Sequence, residues 1–310
     1  MDSVCCAANA ANACKGHGLT LPGVFGIFGH GNVTCLSEAL EQVKDPFPTW
    51  RGPNEQSMAL AAIGFAKAKR RRQIMIATSS IGPGALNMVT AAGTAHANRL
   101  PVLLIAGDTF SSRLPDPVLQ QVEHFGDPTV TVNNAFKAVT RYWDRITHPA
   151  QIIQSLPQAV GAMLDPADCG PAFIALPQDT QELAFDYPVE FFEPRLWAIP
   201  RPRPDRKAVA DAAALLKMAK TPLIIAGGGV RYSGAEAKVA RFAAERGIPV
   251  VETIAGKGGL THHHPVHAGP IGIIGSTSAN ALAAEADVIL AIGTRLQDFT
   301  TGSWTAFARG

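Results

Sequence analysis

The strongest constraint in this sequence is a series of short runs in which nearly every residue is apolar. They are Val24–Phe28, Ile74–Thr78 (IMIAT), Pro101–Gly107 (PVLLIAG) and Pro171–Leu176 (PAFIAL), then Pro222–Ala226, Pro249–Glu252 and Asp287–Gly293. A strand that is apolar at alternate positions needs cover on one face; a strand that is apolar throughout needs it on both. Helical patterns separate the runs: Leu36, Ala39, Leu40 and Val43, then Ala85–Asn98, Pro149–Leu164, Lys207–Ala219, Ala235–Arg246 and Ser278–Ala286. That alternation predicts an α/β fold with parallel sheets covered by helices on both faces.

At 310 residues the chain is long enough for about two such units. Tyr187–Asp205 holds five prolines and no helical period, and its end, PRPRPD, reads as an extended linker. The expected organisation is an atypical or disordered stretch over 1–22, a first domain over 23–186, the linker over 187–205 and a second domain over 206–310. The second domain has no closing strand after Asp287–Gly293, which leaves unpaired backbone at one edge, so it is expected to be incomplete.

Net charge is +2, which gives no argument for nucleic acid or an anionic membrane surface as a partner. The basic run Lys67, Lys69, Arg70, Arg71 and Arg72 reads as a solvated helix C-terminus. No apolar stretch is long enough to span a bilayer, and the first residues lack the pattern of a signal peptide. Cys5, Cys6 and Cys14 crowd the N-terminus, Cys35 and Cys169 stand apart, and no C-x-x-C pair occurs. A zinc site or a disulfide framework is therefore not expected, and a reducing cytoplasm is the default setting.

Several turns follow the apolar runs. Gly29-His30-Gly31-Asn32 follows the first, Ser79-Ser80-Ile81-Gly82-Pro83-Gly84 the second, and a loop with Gln120, Gln121, His124 and Asp127 comes after the third. In a parallel sheet all of these lie on the carboxyl edge, where α/β proteins place ligands. The start of the segment PNEQSMALAAIGFAKAK lies on the same edge. Here Pro53 suits a first helical turn, and Glu55 opens an alanine-rich helix. An acid at that position is also an ordinary helix start, favoured by the dipole.

Other motifs are weak. The Ser79–Gly84 turn lacks the Lys-Ser/Thr ending of a P-loop, and no serine stands in G-x-S-x-G. A Gly-rich strand-to-helix turn can still hold a flat ring close to backbone. Gly227-Gly228-Gly229 departs from G-x-G-x-x-G and reads equally as a tight turn without a ligand. His262-His263-His264 with His267 lacks an acidic or cysteine partner at ligand spacing and reads as an exposed loop.

NEQSMALAAIGFAKA, TSSIGPGALNMVTAAGTAHANRLPVLLIAGD and PAFIALPQD, in that order, resemble the pyrimidine-binding domain of thiamine diphosphate enzymes of the acetolactate synthase type. TPLIIAGGGV and ADVILAIGTRLQDFTTG resemble the Rossmann-like central domain of the same enzymes. Within the group, GIFGHGN, NEQSMA and SSIGPGALNMVTAAGTA look like the trihydroxycyclohexane-1,2-dione hydrolases of inositol breakdown, which open a cyclic diketone by hydrolysing a carbon–carbon bond. The resemblance covers about residues 23–310. It implies thiamine diphosphate with Mg²⁺ as cofactor, a cyclic polyol diketone as substrate and a dimer-based homo-oligomer.

The resemblance gives Glu55 a role: the matching acid hydrogen-bonds N1′ of the aminopyrimidine and favours the imino tautomer, whose nitrogen removes the thiazolium C2 proton. That chemistry calls for a carboxyl group partly withdrawn from water. Pro83 and Asn87 fall in the cofactor-binding T-S-G-P-G-x-x-N motif. His30, Asn32 and Gln121 match positions facing the substrate, with His30 also assigned to catalysis. His30 serves equally as a turn residue, and Gln120 stands beside Gln121.

Two departures accompany the match. Residues 1–22 do not follow the family pattern, and the G-D-G…N-N segment that holds Mg²⁺ and the diphosphate is absent. Gly107-Asp108 and Gly126-Asp127 are followed by Thr109 and Pro128. The resemblance thus implies half of an active site and an inactive isolated chain. An acetolactate synthase-like carboligase or lyase, and a non-catalytic truncated chain, are the alternative readings.

Overall fold

A computed structural model describes residues 21–193, 195 and 197–307. The cysteine-rich N-terminus falls outside the described residues. The chain divides into two units that part between Arg201 and Pro202. The first runs β1 (Val24–Gly26), α1 (Cys35–Gln42), β2 (Thr49–Trp50), α2 (Glu55–Ala68), β3 (Ile76–Ser79), α3 (Pro83–Leu86), α4 (Val89–Asn98), β4 (Leu103–Asp108), β5 (Tyr142–Arg145), α5 (Ile152–Leu164) and β6 (Ala172–Pro177). The second holds α6 (Arg206–Met218), β7 (Pro222–Ala226), α7 (Gly228–Tyr232), α8 (Glu236–Arg246), β8 (Val250–Glu252), β9 (His267–Pro270), α9 (Thr277–Glu285) and β10 (Val288–Ile292).

Both sheets are parallel throughout. Strand order in the first is β2-β1-β3-β4-β6-β5, and in the second β10-β7-β8-β9. The strands β3, β4 and β6 are apolar on both faces because both faces are covered. One face, with Ile76, Leu103, Ile105 and Ile174, packs on Leu36 and Leu40 of α1 and on Ala159, Val160 and Met163 of α5. The alternate residues Ala77, Leu104 and Phe173 are equally buried on the other face. The second sheet is likewise double-sided: Ile224, Ala226 and Val250 join Val239 and Ala243, while Leu223, Ile225 and Val251 join Ala279 and Ala283.

The elements that sequence patterning misses are β2, β5 and β9, and all three lie at a sheet edge. They are short or carry polar residues (TW, YWDR and HAGP), so no continuous apolar run betrays them, whereas the apolar edge strand β10 is anticipated. Two boundaries also differ from expectation. Pro53 precedes the helix rather than entering it: Asn54 is the N-cap, and its side chain accepts a hydrogen bond from the Ser57 amide at 2.8 Å. The helix expected over Ala85–Asn98 is two pieces, α3 and α4, which part at Asn87 and Met88. Part of the proline-rich stretch is tied down, because Trp197 and Ile199 pack against the core of the first unit. No helix among the described residues is long and apolar enough to cross a membrane.

The β6 side of the first sheet is anchored by a stacked pair, Phe136 on Phe173, with ring centroids 3.9 Å apart and both side chains fully buried. Phe173→Ala should cost roughly 3–5 kcal/mol, the range for deleting a buried aromatic. Urea unfolding would register it as a lower midpoint with an unchanged slope.

Candidate active site

Glu55 is the first residue of α2, directly after the Asn54 cap, where helix amides are free and the dipole favours a negative charge. Its side chain is half-buried. Oε2 accepts a hydrogen bond from Asn87 Nδ2 at 2.8 Å. Asn87 sits directly after α3, in the turn that leads into α4. Oε1 lies over Gly84: a Cβ on that residue would stand 3.3 Å from it. The carboxylate opens on a cleft of about 540 Å³ walled by Phe28, Gly29, Ser80, Pro83, Gly84 and Gln120. Glu55, Pro83 and Asn87 are therefore brought together, on the carboxyl edge of the sheet.

The other expected site residues are placed differently. Asn32 is buried and its polar atoms are used within the turn: Oδ1 accepts from the Gly29 amide at 2.9 Å, and Nδ2 donates to Ile27 O at 3.2 Å and Thr78 Oγ1 at 3.4 Å. Its side chain shapes the turn. His30 is half-buried and lies off the cleft wall, with Nε2 buried and lacking a hydrogen-bond partner. Gln121 is buried, its Oε1 accepting from the Phe110 amide at 3.4 Å and its Nε2 unpartnered. The glutamine on the cleft wall is its neighbour Gln120, which a left-handed backbone (φ +67°) turns to the opposite side. A neighbouring pair of glutamines gives sequence no means of telling which one faces inward.

The turns close up backbone to backbone. A Cβ on Gly31 would fall 2.0 Å from Ile81 Cγ2 and 3.1 Å from Gly107 Cα, so the ends of three strand-to-helix units touch there. Gly82 has φ +57°, and a Cβ on it would lie 1.8 Å from Gln120 O. Only glycine fits either place.

Sequence reading missed the two acids that root these loops, Asp108 buried and Asp179 half-exposed. Asp108 ends the apolar strand β4, and its Oδ2 accepts from Arg145 Nε at 2.7 Å while Oδ1 accepts from the Thr109 amide at 2.8 Å. Burial pushes its carboxyl above the ordinary range, against the pull of Arg145 and the Thr109 amide. Asp179, after β6, accepts from the amides of Ser111 and Ser112 and from Ser111 Oγ. Burial alone would raise it, but those donors together outweigh burial and hold it below the ordinary value. The available clue was an acid ending a run that is otherwise fully apolar, since such acids are buried only when paired.

In the second unit the glycine turn is closed on itself. Gly227 N donates to Ile292 O and Gly229 N to Gly293 O, both at 2.9 Å, and a Cβ on Gly229 would lie 2.6 Å from Gly293 Cα. These amides are spent on another strand end, so the turn is a packing joint. Among the histidines, His267 does acquire an acidic neighbour from elsewhere in the fold: its Nε2 is 3.4 Å from Glu252 Oε2. Glu252 also accepts from the amides of Gly258 and Leu260. Among the described residues no group of three or more His, Cys, Asp or Glu is arranged to hold a metal ion. A separate cavity of about 90 Å³ in the first unit is lined mainly by aliphatic side chains such as Leu36, Ile105 and Met163, with Cys35, Thr180, Gln181 and Tyr187 among its polar members.

Comparison with known proteins finds two family profiles in this chain. "Thiamine pyrophosphate enzyme, N-terminal TPP binding domain" matches residues 10–127, and "Thiamine pyrophosphate enzyme, central domain" matches residues 209–310. The chain is 50% identical over 286 residues to a protein of Geobacillus thermodenitrificans named 3D-(3,5/4)-trihydroxycyclohexane-1,2-dione hydrolase, covering 92% of the chain and 45% of the relative. Proteins of the same name from Bacillus cereus (48% over 285 residues) and Clostridium tetani (50% over 281 residues) are similar, each covered over 44% of its length. The chain thus spans a little under half the length of these relatives.

Two measurements check the electrostatics of the site. Arg145→Ala leaves Asp108 charged and buried without its partner, and should cost about 3–5 kcal/mol in chemical denaturation. Asp179 stabilises the fold fully above its ordinary value of 3.8, and this contribution is lost as pH falls through the lowered value. Asp179→Asn should therefore be less stable than wild type at pH 7, with the gap closing below about pH 4.

Proposed function

We infer that the chain belongs to the thiamine pyrophosphate enzymes, whose N-terminal TPP-binding and central domain profiles it matches. On that premise we propose that it supplies the pyrimidine-binding half of a thiamine diphosphate-dependent hydrolase that opens a cyclic 1,2-diketone ring by hydrolysing a carbon–carbon bond. The observation that carries this reading is Glu55, held by Asn87 and facing a glycine wall at the mouth of the cleft. The substrate follows the name of the relatives, trihydroxycyclohexane-1,2-dione, and places the reaction in the breakdown of inositol. A cytoplasmic setting belongs to the same reading.

The residues present fit the pyrimidine end of the cofactor. Gly84 and Gly29 leave the wall without side chains, which lets a flat ring lie against backbone, and Glu55 supplies a carboxyl group at its rim. Thiamine diphosphate, when bound, supplies an electron sink for the bond that breaks. Asn87 donates to Oε2 and so fixes the carboxyl plane, leaving Oε1 on the Gly84 side to share a proton with a ring nitrogen. We assign the diphosphate and Mg²⁺ to a further domain present in the longer relatives, contributed across a homodimer so that each site joins two subunits.

Two experiments test this. Isothermal titration of the 310-residue chain with thiamine diphosphate and Mg²⁺ should give no micromolar binding, and such binding would overturn the half-site reading. In a protein joining this chain to the remaining domain of its relatives, loss of trihydroxycyclohexane-1,2-dione should be enzymatic. There Glu55→Gln should lower kcat by about 10²–10⁴ without altering the fold. Undiminished turnover would remove Glu55 from the mechanism, and condensation of two pyruvates in place of ring opening would make the protein a carboligase.

A further inference from the structure

The cleft around Glu55 is lined by two segments that α2 and α3 do not hold themselves. One is the turn after β1, which contributes Gly29; the other is the long loop after β4, which contributes Gln120. That loop runs from residue 109 to residue 131 without regular structure, and a segment of this length needs anchoring if its tip is to keep a fixed place.

Both segments are gripped from the same place, the single helical turn Gln178–Gln181 directly after β6. Gln181 Nε2 donates to Gly31 O at 2.8 Å and to Leu176 O at 2.9 Å, tying the first turn to the end of its own strand. Asp179 takes the loop. Its Oδ1 accepts from the amides of Ser111 at 2.9 Å and Thr180 at 3.1 Å, and its Oδ2 from Ser111 Oγ at 2.8 Å and the Ser112 amide at 2.9 Å. A carboxylate offers about four acceptor positions, and here donors fill them all. Ionised acceptors make the stronger hydrogen bonds, so the grip is firm despite the half-exposed location.

We propose that Asp179 and Gln181 are positioning residues for the Glu55 cleft: one turn after β6 clamps both of the loops that complete its wall. The proposal rests on reading that cleft as a functional site, but its geometry is independent of which ligand occupies it. Asp179 touches neither Glu55 nor the cleft and acts through the root of the loop. Gln181 acts on the other side, through Gly31. The two arms are separable, because they grip different segments.

The test uses the full chain and amide resonances in an isotope-labelled sample. Asp179→Asn keeps the shape but turns one acceptor oxygen into a donor. It should speed amide exchange at Ser111 and Ser112 by roughly ten- to a hundredfold and shift the Gln120 resonance, leaving Gly29 and Gly31 in place. Gln181→Met removes the donor at similar length and should do the converse, shifting Gly29 and Gly31 but not Gln120. Ser111→Ala, a milder cut at the same arm, should move Gln120 in the same direction as Asp179→Asn by a smaller amount. Changes confined to Ser111 and Ser112, or a uniform loss of protection through β3, β4 and β6, would overturn the clamp and leave these residues a merely structural role. Failure of thiamine diphosphate to bind any form of the protein would refute the proposed function and leave these outcomes untouched.

Discussion

Three strand ends meet at the rim of the first sheet with backbone against backbone, and the site depends on that approach. The distance from Gly31 to the Ile81 methyl and to the Gly107 Cα leaves no room for a single added carbon. Because the turns are pressed together, Ser80 Oγ can accept from the Gly31 amide at 3.2 Å, and Asn32 can reach both Ile27 O and Thr78. The first two turns therefore behave as one piece. Glu55 faces a wall whose position is set by close packing, the stiffest constraint a protein interior offers.

Charge does the complementary work where the chain is least regular. Asp108 and Asp179 stand at the ends of neighbouring strands, β4 and β6, and each collects the donors of a segment that has no ladder to join. Their titration differs for a physical reason. Asp108 is sealed in, so burial dominates, whereas half-exposed Asp179 keeps enough water for its donors to prevail. Arg145 makes the sealed acid tolerable by also donating to Thr109 O and Oγ1, both at 3.0 Å, which links the ion pair to the start of the same loop.

The buried layers of both units were legible in the sequence, because a strand covered on both faces must be apolar throughout and a helix between strands must show its period. The edge strand β5 gave no such signal: Tyr142–Arg145 is half-buried along its length, with an acid and a base among four residues, whereas the edge strand β10 is apolar throughout. Around the cleft, the proximity of Glu55, Pro83 and Asn87 follows from two separate motifs, the start of α2 and the turn after β3, which a parallel sheet brings to the same edge. Asn32 and Gln121 are buried, and sequence gives no sign of that, because a polar side chain in a turn looks alike whether it serves backbone or a ligand. The partners of Asp179 and of Gln181 lie far away along the chain, and only folding makes them neighbours.

The sealed joint of the second unit carries a consequence of its own. Both units repeat the same grammar, a parallel strand running into a glycine turn and a helix, yet their rims have opposite fates. At Gly227 and Gly229 the amides close on Ile292 and Gly293, so two strand ends are stitched together and those two donors are already committed. Vacancy at a sheet edge is thus a matter of which donors remain uncommitted rather than of glycine content. By that criterion a glycine-rich turn is a socket only when its neighbour strand declines to fill it.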